Sequence, residues 1–136
     1  MKALTIRQPM AHAILYLNKN IENRSYRTHY RGPLLIHAGA YKERHPREVL
    51  AEYMKRPPTE EKLAKLPLGC ILGVVKLVDC IQNSKSRWAE KDSWHWVIKD
   101  ARTIKAVTCK GRLGLWTPSP SVTKKLPRWV KHLHWE

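Results

Sequence analysis

The run Leu68-Gly69-Cys70-Ile71-Leu72-Gly73-Val74-Val75-Lys76-Leu77-Val78-Asp79-Cys80 decides the fold. It is apolar, rich in β-branched residues and bounded by turn-forming residues, which is typical of a strand at the centre of a sheet. Gly73, in the middle of the run, predicts a bulge or bend that curls the sheet. The run therefore predicts a curved sheet built around one central strand.

Shorter segments on either side supply the other strands and the helices. Pro9 suits the first turn of a helix, and apolar residues then repeat at helical spacing as far as Leu17. Further helices are predicted at residues 43–55 and, as a short helix or loop, at 60–66. Strands are predicted at residues 4–6, 19–24, 33–38, 94–98 and 103–107, and residues 109–116 are predicted to turn at Gly111 and form the closing strand. The pattern predicts an α+β fold, a small mixed β-barrel of five to six short strands with flanking helices.

Charge is the strongest global feature of the chain. Among 136 residues, which is one domain by length, 26 Lys and Arg outnumber 11 Asp and Glu, leaving a formal net charge of +15. Such an excess attracts polyanions and supplies phosphate contacts, so it favours nucleic acid as the partner. A merely soluble basic protein is the plainer alternative. An anionic membrane surface is a weaker one, because no basic amphipathic helix stands out.

The cysteines and the N-terminus bear on the compartment. Cys70, Cys80 and Cys109 are odd in number and widely spaced, so they predict neither a disulfide framework nor a zinc site. His132-x-His134 lacks a third ligand nearby and is interpreted as surface. The N-terminus lacks the apolar core of a signal peptide, and no run is long enough to span a membrane. We therefore expect a cytoplasmic protein with no metal, no cofactor and no membrane contact.

The polar stretch Lys19-Asn20-Ile21-Glu22-Asn23-Arg24 is the main candidate site. In a strand, Ile21 would face the core while Glu22 and Arg24 share the opposite face. The two could simply form a salt bridge, or the bridge could orient the Arg24 guanidinium toward a ligand.

Five more residues extend this candidate site. Arg7 and Gln8 end the first strand, where they could cap the following helix or contact an anion at its N-terminus. Tyr26 and Arg31 lie in a polar turn whose rings and cations suit base stacking beside phosphate contacts, although each alone is commonly just exposed. His37 ends an apolar strand, where a satisfied, partly buried histidine is the plainer interpretation and a ligand contact the alternative.

Common catalytic and nucleotide-binding motifs are absent from the sequence. It contains no G-x-x-x-x-G-K-[ST], G-x-G-x-x-G, H-E-x-x-H or G-x-S-x-G. What remains is a hypothesis in which Lys19 acts as base or nucleophile and Glu22 carries a proton. Equally, these residues could bind a phosphate and a base edge without chemistry.

Five ordered blocks of the chain together resemble the ASCH domain of the PUA-like superfamily. The blocks are Leu4–Pro9, Lys19-x-x-Glu22-x-Arg24, Tyr30–Ala38, Leu68–Val75 and Lys110-Gly111-x-x-Gly114-Leu115-Trp116, and the resemblance as a whole runs from residue 2 to about residue 118. The resemblance implies a PUA-like barrel with a cleft lined by the Lys19, Glu22 and Arg24 motif, with the Arg7-Gln8 pair beside it. Lys110, in the last block, is a further candidate binding residue. The resemblance also implies binding of RNA or another nucleic acid.

Some members that resemble this domain are enzymes, either amidohydrolases that remove an acyl group from modified cytidine or ribonucleases. Two positions depart from the family pattern. Asn18 stands where the motif usually has glycine, although asparagine tolerates a left-handed conformation. Met10 stands where an aromatic residue often follows Gln-Pro, which removes one stacking surface from the cleft.

We therefore predict a monomeric nucleic-acid-binding module that holds RNA, in preference to DNA, or a modified nucleotide in this cleft. A small hydrolase acting on nucleic acid is the alternative. Residues 1–118 would form the domain, and residues 119–136 a basic tail that contains Trp129 and Trp135.

Overall fold

A curled six-stranded sheet organises the protein, which is described here by a computed structural model covering residues 1–133. The strands stand in the order β2-β5-β4-β3-β1-β6. Among these neighbours only β1 and β3 run parallel. The strands are β1 (Lys2–Gln8), β2 (Ile21–Arg24), β3 (Gly32–Lys42), β4 (Cys70–Ile81), β5 (Trp94–Thr108) and β6 (Leu115–Trp116). The predicted α+β fold, a small PUA-like barrel with flanking helices, is confirmed.

The central position of β4 follows from its sequence. It lies between β3 and β5, and Ile71, Val74, Val75 and Leu77 are all buried. Register irregularities flank Gly73 in both pairings, so the predicted bend is present. A Cβ on Gly73 would lie 2.5 Å from a Leu15 methyl and 2.6 Å from the Arg102 carbonyl, and only glycine fits there.

The sheet curls enough to bring β2 back to β1, although β5, β4 and β3 lie between them in the sheet. The evidence is a hydrogen bond of 3.1 Å that Arg24 Nη2, on β2, donates to the Thr5 carbonyl oxygen on β1. This closure juxtaposes the polar stretch on β2 with the end of β1.

Three boundaries differ most from the sequence prediction. The closing strand predicted within residues 109–116 is confined to β6, because the chain turns at Gly114, whose φ is 64°. The strands predicted at residues 94–98 and 103–107 are one continuous strand, β5, which accommodates Asp100 at a positive φ of 54°. The helix predicted at 43–55 is shorter, because His45 adopts a left-handed conformation and Pro46 begins the helix. The helices are α1 (Met10–Tyr16), α2 (Pro46–Ala51), α3 (Glu60–Ala64), α4 (Pro120–Thr123) and α5 (Arg128–Lys131). No helix within residues 1–133 is long and apolar enough to cross a membrane.

The chain after Pro118 folds onto the sheet as far as it is described. Leu126 and Val130 are buried in a cluster with apolar residues of β1, β3, β4, β5 and β6. A second cluster lies beneath α1, and a third beneath α2 and α3. His134 and Trp135, both named in the predictions above, lie outside the described residues.

Candidate nucleic-acid interface

Two pockets flank Arg7 and Arg24 where β1 meets β2. The larger encloses about 870 Å³ between the end of β1, β3 and the loop 109–114. The smaller, of about 190 Å³, lies beside α1 and the Lys19–Arg24 stretch. Because the two arginines line both pockets, they form the wall between them.

Lys19, Glu22 and Arg24 form a continuous ionic chain. Lys19 Nζ lies 3.1 Å from Glu22 Oε1, and Arg24 reaches Glu22 Oε2 with Nε at 2.9 Å and Nη2 at 2.8 Å. Lys19 Nζ also donates to the Ile21 carbonyl. Both carboxylate oxygens of Glu22 thus accept hydrogen bonds from within the protein. The two cations and one carboxylate of this ionic chain leave it with one net positive charge.

Local backbone geometry explains why Lys19 is buried. Asn18 has a φ of 61°, the left-handed conformation that was predicted to be tolerable there. This conformation ends α1 and lets the Lys19 amide donate to the Ala13 carbonyl at 3.1 Å. The Lys19 side chain then turns inward, where only 3% of it is exposed.

Arg24 is the member of this chain that faces the larger pocket. Its Nε and Nη2 are held by Glu22 and the Thr5 carbonyl, which fixes the plane of the guanidinium. Nη1 has no hydrogen-bond partner in the described part of the chain, and 23% of the side chain is exposed. A positioned arginine with a free donor is suited to binding phosphate or carboxylate.

The charged side chains that line the larger pocket are cations. Arg7, Arg24, Lys110 and Arg112 line it, and no Asp or Glu within residues 1–133 does. Arg7 lies 3.7 Å from Glu43, but both side chains are exposed, so that pairing is weak. Tyr41 adds a ring that is 77% exposed. The pocket therefore offers cations and one aromatic surface to an anionic, aromatic ligand.

A hydrogen-bonded relay supports the loop 109–114. Trp116 Nε1 donates to Thr5 Oγ1 at 3.0 Å, Thr5 Oγ1 lies 3.2 Å from His37 Nδ1, and His37 Nε2 lies 2.8 Å from the Cys109 carbonyl oxygen. A carbonyl can only accept, so Nε2 carries the proton and Nδ1 accepts from the Thr5 hydroxyl. Burial lowers the pKa of His37 below its ordinary 6.5, against the opposing effect of the Cys109 hydrogen bond. His37 is thus a satisfied, neutral residue that holds the pocket wall.

Because His37 is neutral in the folded state, we expect the free energy of unfolding to fall as the pH drops below about 6.5. The unfolded chain binds the proton first, so stability is full above that pH and decreases toward the lower folded-state pKa. Burial and the charge of Lys62 lower the pKa of His12 as well, so His12 also makes the protein less stable as the pH falls. Urea unfolding between about pH 7.5 and about pH 5.5 measures the slope.

The contribution of His37 itself is isolated by substitution. His37→Gln should show a shallower fall with pH than the unsubstituted protein, whatever its absolute stability. His29→Gln, at an exposed histidine, should keep the original slope. An unchanged slope in His37→Gln would show that this imidazole is not the titrating group.

Three residues proposed from the sequence line neither pocket. Gln8 is buried and caps α1: its Oε1 accepts from the His12 amide at 2.9 Å, and its Nε2 donates to the Pro67 carbonyl at 3.2 Å. Arg31 is held by the Thr28 and Tyr30 carbonyls. Tyr26 is 43% exposed and stands edge-on to Trp96. The other proposed residues do line a pocket: Arg7, Arg24, His37 and Lys110 the larger, and Lys19, Glu22, Arg7 and Arg24 the smaller.

Sequence reasoning missed several residues of the site. Arg112 could have been found, because it lies between Gly111 and Gly114 in a predicted turn next to Lys110. Thr5 and Tyr41 belong to no recognisable sequence motif, and only the folding of the chain brings them to the larger pocket. Tyr53 and Glu90, joined at 2.6 Å, line the smaller pocket, and burial together with Glu90 raises the pKa of Tyr53. Within residues 1–133, no group of three or more His, Cys, Asp or Glu side chains could hold a metal ion.

Comparison with known proteins places this geometry in a wider context. A family model described as the ASCH domain matches residues 4–109. Human Activating signal cointegrator 1 is 37% identical over 86 residues, which cover 60% of this chain and 15% of the human protein. The chain therefore corresponds to a small part of that relative's length, and the loop beyond Cys109 and helices α4 and α5 lie outside the family match.

Proposed function

The chain belongs to the ASCH family, whose PUA-like domains generally bind RNA, and from that premise we propose that it binds single-stranded RNA through the larger pocket. The observation that carries the proposal is the acid-free lining of that pocket. Four cations line it, and two of them, Lys110 and Arg112, have no carboxylate partner within residues 1–133. They would attract phosphate, and a volume of about 870 Å³ leaves room for a nucleotide.

In this proposal only Arg24 of the ionic chain contacts the RNA, and Lys19 and Glu22 hold Arg24 in position. Glu22 is held by Lys19 on one oxygen and by Arg24 on the other. Lys19 and Glu22 therefore orient the Arg24 guanidinium before a ligand arrives, which reduces the conformational entropy lost on binding. Lys19 and Glu22 act through Arg24, while Arg7, Lys110 and Arg112 contact phosphate directly.

Binding is tested by fluorescence anisotropy with a labelled single-stranded RNA. Arg112→Gln and Lys110→Gln each remove an exposed cation of the pocket without disturbing the buried chain, and each should weaken binding by on the order of tenfold. Arg87→Gln is the matched control, because Arg87 is exposed and lies over Trp88, away from both pockets. A DNA strand of the same sequence should bind more weakly than the RNA.

The salt dependence of RNA affinity is the second test of the pocket proposal. Affinity should fall steeply between about 50 and about 200 mM salt, because phosphate contacts release condensed counterions. Affinity that is unchanged over that range, or an Arg87→Gln variant as weak as Arg112→Gln, would rule out the pocket as the phosphate site.

A hydrolase is a second candidate, because Lys19 and Glu22 share the wall of the smaller pocket. The Lys19 ammonium already donates to Ile21 and Glu22, and a base or nucleophile would have to lose one of its protons. The RNA recovered from the titrations, and acylated cytidine incubated with the protein, would reveal cleavage or deacylation as new products. If neither substrate changes, the binding function stands alone.

A further inference from the structure

The C-terminal quarter of the described chain is free of acidic residues. Residues 101–133 contain eight Lys and Arg and no Asp or Glu, whereas residues 1–100 contain ten Asp and Glu beside 18 Lys and Arg. The nearest carboxylate in sequence is Asp100, which lies 3.6 Å from Lys76. Most of this protein's surface therefore mixes charges, but this segment presents positive charge alone.

The fold gathers part of this segment into one surface. Leu126 and Val130 anchor the chain in the core cluster, so the residues around them are directed outward. The resulting C-terminal basic surface consists of exposed cations and one partly exposed ring: Arg102, Lys124, Lys125, Arg128, Lys131 and Trp129. A fixed array of cations is more effective toward a polyanion than the same charges on a mobile tail, because less conformational freedom is lost on binding.

Trp129 gives this surface a feature that electrostatics alone does not require. Its ring is 41% exposed, and the Arg102 guanidinium lies 5.7 Å from the ring centroid. An exposed tryptophan among lysines and arginines is the arrangement on which unpaired bases stack while phosphates are neutralised.

Strand β5 connects this surface to the larger pocket. Arg102 lies beside Trp129, and Thr108, six residues further along the same strand, lines the pocket. Six residues of extended chain span roughly 20 Å. Lys105 is exposed between them, and Lys110 and Arg112 continue the acid-free segment at the pocket itself.

We propose that the C-terminal basic surface binds the RNA segment that flanks the nucleotide in the larger pocket, with Lys124, Lys125 and Arg128 on its phosphates and Trp129 stacked on one of its bases. This inference rests on the proposed RNA binding and extends it to a site of several nucleotides. The ligand class is single-stranded RNA, because only unpaired bases offer a face to Trp129.

RNAs of two lengths separate this surface from the pocket. A dinucleotide is too short to extend from the pocket to α5, whereas a strand of about 12 nucleotides also reaches α5. The triple variant Lys124→Gln, Lys125→Gln, Arg128→Gln should weaken binding of the longer RNA about tenfold and reduce its salt slope by about 2, while leaving the shorter RNA unchanged. Lys55→Gln, Lys62→Gln, Lys85→Gln removes the same charge from exposed positions elsewhere and should change neither.

Trp129→Leu tests the stacking contact with all charges kept. It should weaken the longer RNA about fivefold and leave the shorter one unchanged. Equal losses in the two triple variants, or an unchanged affinity of the longer RNA, would overturn the proposal. If the shorter RNA fails to bind at all while the longer one still depends on Lys124, Lys125 and Arg128, the pocket proposal fails and this surface stands.

Discussion

Replacing Glu22 with alanine is expected to lower the free energy of unfolding by about 3–5 kcal/mol, the range typical of a broken buried ion pair. The carboxylate is the sole anion between Lys19 and Arg24 in the ionic chain, and both its oxygens accept from them. The Lys19 side chain is only 3% exposed in the unsubstituted protein, and without Glu22 its ammonium keeps only the Ile21 carbonyl as an acceptor. The buried, uncompensated charge is the reason for the large expected loss.

Urea denaturation of Glu22→Ala beside Glu61→Ala measures this difference. Glu61 also pairs with a lysine, Lys65 at 3.4 Å, but those side chains are 82% and 76% exposed. Its loss should therefore be below about 1 kcal/mol. Glu22→Gln keeps the shape and one acceptor, so it should fall between the two. If Glu22→Ala is no less stable than Glu61→Ala, the ionic chain of Lys19, Glu22 and Arg24 does not contribute to the free energy of unfolding.

The same substitution should weaken RNA binding in proportion to the disorder of Arg24. Glu22 accepts from two nitrogens of the guanidinium, leaving the Thr5 carbonyl as the remaining partner once the carboxylate is gone. The arginine would still be present and charged, and the loss of the carboxylate adds one net positive charge, so a weaker affinity would reflect lost positioning. Arg24→Gln, which removes the charge as well, should be weaker still.

The ionic chain also shows how far local sequence patterns extend. Strand alternation correctly put Glu22 and Arg24 on one face, because side chains two apart in a strand share a side. The burial of Lys19 was not predictable in that way, since it depends on the left-handed turn at Asn18 and on the return of β2 to β1. Period and alternation specify neighbours within an element, whereas the curl of the sheet sets which elements meet.

The larger pocket was even less predictable from local sequence patterns, because distant parts of the chain form it. Its supporting relay joins Thr5 to His37 across 32 positions and His37 to Cys109 across 72. His37 was correctly suspected of being a satisfied residue from its place at the end of an apolar strand, but its partners could not be named. Likewise, the long apolar run identified β4, while the fusion of two predicted strands into β5 was missed, because Asp100 interrupts the pattern that joins them.

A methyl group added at Gly111 is expected to displace the loop 109–114 and weaken RNA binding more than tenfold. The new Cβ would lie 2.4 Å from Thr5 Oγ1 and 2.8 Å from His37 Nδ1, well inside van der Waals contact. Both atoms belong to the relay and cannot move without breaking its hydrogen bonds. Gly111 does not have a positive φ, so the obstacle is space and not backbone conformation. Overpacking of this kind costs about 1–3 kcal/mol, and Lys110 and Arg112 would shift with the loop.

Leu113→Ala is the control for Gly111→Ala, because Leu113 is in the same loop but 99% exposed and should change stability by less than about 0.5 kcal/mol. A Thr5→Ala background tests the cause: it removes the nearest clashing atom, so the added loss of stability from Gly111→Ala should be smaller there than in the unsubstituted protein. Additive losses would show that the methyl group does not meet the Thr5 hydroxyl. RNA affinity that survives Gly111→Ala would show that the position of the loop, and hence of Lys110 and Arg112, does not govern binding. Because the relay ties the loop to β1 and β3 together, a local clash at one glycine should be felt both in stability and in the pocket.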